Sequence, residues 1–135
     1  MKKIVINNDF GGFGLSHAAT MRYAELKGIK LYPFVAEGYG ISPLKIYEPE
    51  VDPEWKLIFY YTSPNAKDDE DAEGFYDRNL ARDDPLLIQV VEEMKEKASG
   101  RHAHLKIVEI PDNVDWEIEE YDGAEWVSEK HQTWN

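Results

Sequence analysis

The stretch HLKIVEIPDNVDWEIEEYDGAEWVSEKH, residues 104–131, decides the fold class. Its first part, HLKIVEIP, reads as a strand. Residues 115–131 read as a hairpin turning at Asp122-Gly123, the dipeptide preferred in a two-residue type I′ turn. That loop pairs Tyr121 with Ala124 and sets Ile118 opposite Val127. Three closing strands with no helix between them cannot all be parallel neighbours, so the spacing predicts an α+β fold rather than a doubly wound one.

The segments before it complete that picture. In ARDDPLLIQVVEEMKEKASG, residues 81–100, Asp84 is placed to cap a helix and Pro85 to occupy its first position. Leu87, Val90, Val91, Met94 and Ala98 form its apolar stripe, giving a helix over about 85–98. Nearer the start, KIVIN at 3–7 reads as a buried strand, and Ser16 as the N-cap of a helix over about 16–27 that Gly28 stops. Ala19, Tyr23 and Leu26 mark the inner face of that helix. IKLYPFVAE, residues 29–37, is a strand whose Pro33 predicts an edge position or a break, since proline cannot donate to a ladder. A short strand is expected at 44–47, and KLIFYYTS at 56–63 as a central strand. PNAKDDEDAEG at 64–74 reads as a solvated loop; it lacks the ligand spacing of a calcium loop. The expectation is one domain over 1–135: a mixed, mainly antiparallel sheet, two helices and a C-terminal β-hairpin.

With 27 acidic against 15 basic side chains the net charge is -12, which argues against bulk nucleic acid or an anionic membrane as partner. Absence of cysteine removes disulfides and thiolate chemistry, and suits a reducing compartment. The opening MKKIVINNDF has an apolar run too short for a signal-peptide core or a membrane span. A soluble cytoplasmic protein is expected.

Chemistry centres on NNDFGGFGLS, residues 7–16. A strand, a glycine turn and a helix start aim backbone N–H groups at one point, which suits a phosphate or carboxylate. The spacing of Gly11, Gly12 and Gly14 is neither the dinucleotide nor the P-loop pattern, so the alternative is a purely structural turn. As a ligand site it would use Phe10, Gly11, Gly12, Phe13, Gly14 and Ser16, with Arg78 and Arg82 as guanidinium clamps. The competing reading pairs both arginines internally with Asp77, Asp83 or Asp84. His102 and His104 are expected on one face of a strand, with His131 further on, an arrangement short of a metal site; no metal and no cofactor are assigned. Asp9 and His17 are the candidate acid or base should the protein be an enzyme. Glu117, Glu119, Glu120 and Glu125 read as the outward face of the hairpin. Of the tryptophans at 55, 116, 126 and 134, Trp134 near the chain end suggests docking in a homo-oligomer.

Three stretches, FGGFGLS (10–16), RDDPLLIQVVEE (82–93) and LKIVEIPDNVDWEIEEYDGAEWVSEKHQTW (105–134), resemble a family of small proteins encoded by tailed bacteriophages and prophages. The resemblance implies a phage protein made in the host cytoplasm and carries over no catalytic residues. Three functions follow as expectations: non-enzymatic binding of an anionic small molecule, such as a nucleotide immune signal, at the glycine loop; an acidic inhibitor of a host protein; or an enzyme on a phosphorylated substrate.

Overall fold

The computed structural model describes residues 1–36, 44–50, 52, 57–65 and 70–130. The fold is α+β, with two helices and antiparallel ladders throughout the described residues. Where one sheet was expected there are three among the described residues, and the chain groups into two compact units, Met1–Tyr23 with Asp77–Asn135, and Ala24–Tyr76. No helix among the described residues is long and apolar enough to cross a membrane.

The first unit is organised about β1 (Lys2–Asn7), whose last four residues are buried. It pairs antiparallel with β6 (Leu105–Ile110), Val5 facing Ile107. Helix α2 (Pro85–Met94) packs on both strands through Leu87, Val90 and Val91, all buried. Each such side chain contributes about 1.5–3 kcal/mol of burial. Asp84 caps α2 as expected, its Oδ1 accepting the Leu86 N–H at 2.9 Å. The α-helix ends four residues early, because Lys95 takes φ 54° and residues Lys95–Ala98 tighten into a 3-10 turn that still buries Ala98. The hairpin of β7 (Trp116–Tyr121) and β8 (Ala124–Glu129) has the expected register, Tyr121 with Ala124 and Ile118 with Val127. Asp122 at φ 51° and Gly123 at φ 92° form the type I′ turn.

The boundary between the units falls inside α1 (His17–Lys27). Ser16 caps it, Oγ accepting the Ala19 N–H at 3.1 Å. Gly28, at φ 79°, stops it: Gly28 N–H donates to Glu25 O and Ile29 N–H to Ala24 O, the paired bonds of a Schellman motif.

In the second unit β2 (Tyr32–Ala36) lies between β3 (Leu44–Ile46) and β4 (Phe59–Tyr61), and β4 pairs onward with β5 (Gly74–Phe75). Pro33 therefore sits in an inner strand, against expectation. Its carbonyl accepts Tyr47 N–H just past the end of β3, and the return bond to Tyr47 is the one that proline cannot donate, so the ladder with β3 stops at Phe34. Phe34 and Tyr61 pack edge to face at 5.7 Å.

Tyr23 joins the helices of the first unit. It is fully buried, and its hydroxyl donates to Asp84 Oδ2 at 2.5 Å. Burial first, then Asp84, raises its pKa well above the usual phenol value. Unfolded tyrosine ionises near about 10, so this contribution is fully present below that pH and lost as pH rises beyond it. Tyr23→Phe is expected to cost about 1.5–3 kcal/mol near neutrality, a hydrogen bond to a carboxylate. Urea titrations at neutral pH and at about 10.5 should find the gap between wild type and variant narrowing at the higher pH. A gap that widens contradicts this assignment.

Candidate functional site

Between β1 and α1 the chain runs through residues 8–16, and its path is set by contacts from four other segments of the first unit. Asn7, fully buried, anchors the start. Its Nδ2 donates to Asp9 O at 2.8 Å and Gly123 O at 2.9 Å, and its Oδ1 accepts the His104 N–H at 2.8 Å. One side chain so ties the loop to the hairpin tip and to the residues preceding β6.

Two glycines, Gly11 and Gly123, serve close approach. A β-carbon on Gly11 would lie 2.1 Å from the His102 carbonyl oxygen, and one on Gly123 would lie 2.6 Å from Gly12 N. Neither position has room for a side chain. Gly12 takes φ 88° and Gly14 O accepts Gly100 N–H at 2.8 Å. Beyond them Leu15 N–H donates to Asp77 Oδ2 at 2.9 Å, and Ser16 N–H to Ala98 O. The amides of Gly11, Gly12, Phe13 and Gly14 make no hydrogen bond among the described residues.

Arg82 is held from every side. Its Nη1 and Nη2 donate to Glu125 Oε1 and Oε2 at 2.6 and 2.8 Å, a bidentate fork, and its guanidinium carbon lies 3.7 Å from the centre of the Phe13 ring. Only 15% of the Arg82 side chain and 7% of that of Glu125 is exposed, so this is an ion pair largely removed from water. The pair also closes the outer edge of β1. Val5 N–H donates to Arg82 O at 2.8 Å, Arg82 Nη1 reaches Val5 O at 3.3 Å, and Asn7 N–H donates to Glu125 Oε1 at 2.8 Å.

Internal pairing of Arg82 is thus the arrangement found, with a partner other than the three aspartates expected: Asp84 is spent on the α2 cap and Tyr23, and Asp77 on Leu15. Glu125 in turn leaves the outward face assigned to it. The hairpin register held the signal, since Glu125 lies on the same face of β8 as Val127, which stands opposite Ile118. Arg78 is exposed and makes no ion pair among the described residues, and Phe10 is 65% exposed. The Phe13 ring faces Arg82. His102 and His104 precede β6 in a turn and its exit, not on a strand face, because Gly11 packs against His102 and the His104 amide is taken by Asn7. His131, Trp55 and Trp134 lie outside the described residues. His17 is half-buried, and burial lowers its pKa. Compared with protein families, curated proteins and solved structures, the chain matches none.

A glycine scan separates packing from ligand roles. Gly11→Ala is expected to destabilise by about 1–3 kcal/mol through overpacking. Gly123→Ala adds backbone strain at positive φ to a similar clash. At Gly14 a β-carbon meets nothing nearer than Asp77 Oδ2 at 3.9 Å, so Gly14→Ala should stay within about 0.5 kcal/mol of wild type. Equal urea midpoints for Gly11→Ala and Gly14→Ala would refute the close-packing account.

Proposed function

We propose that the protein is a non-enzymatic binding protein whose C-terminal hairpin occupies a basic surface on a partner protein. One observation carries this reading. Residues 107–129 hold nine carboxylates and no lysine, arginine or histidine, and the hairpin exposes Glu117, Glu119, Glu120, Asp122 and Glu129. A one-signed field of this kind steers a cationic partner and repels other copies of the same chain. The likeness of three stretches to tailed-phage proteins supports the finer reading, an accessory protein that neutralises a host factor in the host cytoplasm. Arg82 does not serve as a clamp in this account, because Glu125 already neutralises it.

A second reading has an observation of its own. The unspent amides of Gly11 to Gly14, with Phe10 and Arg78 exposed, suit a small anion such as a nucleotide. The carboxylates of Asp9 and Asp77, each hydrogen-bonded to a loop amide, oppose it. Calorimetry with nucleotides and cyclic nucleotides that gives heat abolished by Arg78→Ala would establish this second reading, and a flat panel would remove it.

For the first reading, immobilised protein should retain a partner at about 50 mM salt and release it by about 300 mM, as screening shortens the Debye length. The triple variant Glu117→Gln, Glu119→Gln, Glu120→Gln should retain none. Retention by that variant, or retention indifferent to salt, contradicts the proposal.

A further inference from the structure

The hairpin offers more than charge. Within the described residues β7 pairs only with β8. In a hairpin closed by a two-residue turn, the amides of Glu117, Glu119 and Tyr121 face β8, and those of Trp116, Ile118 and Glu120 face away. These outward groups have no partner among the described residues. β7 is six residues long and contains no proline or bulge to blunt its edge. Among the described residues its glutamates are its only protection, and they protect selectively: a second copy pairing edge to edge would set carboxylate against carboxylate.

The outer face of the hairpin adds a place for side chains. Tyr121 is 73% exposed, and Trp126 is 46% exposed on the diagonally adjacent position. Trp126 Nε1 donates to Glu119 Oε2 at 3.0 Å, which fixes ring and carboxylate side by side. An aromatic surface beside a carboxylate receives the stem and the charged head of lysine or arginine together.

We propose that the free edge of β7 accepts an extended lysine- or arginine-rich segment of a partner protein as an added strand. Backbone bonds to Trp116, Ile118 and Glu120 supply the pairing, and alternate cationic side chains lie over Glu117, Glu119 and Trp126. This rests on the basic-partner reading above and adds the mode of recognition.

The test uses the full chain, a peptide of about ten residues alternating lysine with threonine or valine, and the same peptide N-methylated on its pairing edge. The plain peptide should slow hydrogen exchange at the amides of Trp116, Ile118 and Glu120 by about tenfold or more at saturation, and the N-methylated peptide should bind about tenfold more weakly. Glu120→Pro removes one outward donor without touching a bond to β8, and should weaken binding beyond Glu120→Gln, which removes the charge alone. Equal binding of the two peptides overturns strand addition while leaving the basic-partner reading intact. Absence of binding by either peptide at about 20 mM salt, where screening is weak, overturns both. Protection of the same three amides in the peptide-free protein, with dimers in sedimentation, would assign the edge to a second copy and overturn the choice of occupant.

Discussion

Among the described residues no strand is laddered to the outer edge of β1, and Arg82 and Glu125 stand in for one. Arg82 offers a backbone carbonyl to Val5 and a guanidinium to the Val5 carbonyl, and Glu125 offers a carboxylate oxygen to Asn7. Each then satisfies the other through the bidentate fork. A buried ion pair adds little net stability over an apolar pair of the same volume, but loss of one member leaves a stranded charge at about 3–5 kcal/mol. The pair therefore acts mainly as a device of specificity. It fixes which face of β8 turns inward, and with the Phe13 ring over the guanidinium it fixes the path of the glycine loop.

That constraint shapes what the loop can do. Asn7 reaches the hairpin tip, Gly11 lies on His102, and Gly123 lies on Gly12, so loop and hairpin form one interlocked layer. Gly11 and Gly123 answer first to packing. What the layer presents outward is the acidic, aromatic side of the hairpin, oriented by Glu125 on its opposite face.

Local chemistry was legible in the sequence, and long-range pairing was not. Ser16, Gly28, Asp84 and Asp122-Gly123 each announce a cap or a turn through interactions within a few residues, and the structure has each of them in that role. The hairpin register follows from its turn length. The partner of Arg82 lies 43 residues away and had three nearer competitors, so sequence proximity pointed to the wrong carboxylates. Glu125 was concealed by its type, because an ionised residue in an acidic strand reads as solvated unless alternation is followed through Ile118 and Val127. Pro33 misled for a different reason. β2 is an inner strand, yet beside Pro33 its neighbour β3 has ended. The division of the described strands among three sheets has no local signal, since it depends on pairings between segments far apart in the chain.

A double-mutant cycle of Arg82→Met and Glu125→Met, measured by urea denaturation, tests the central role of this pair most directly. Each single variant should lose about 3–5 kcal/mol, and the double variant should lose no more than either single, because neither charge is then stranded. Costs that add to within about 0.5 kcal/mol would show the two residues to be independent and would contradict the account.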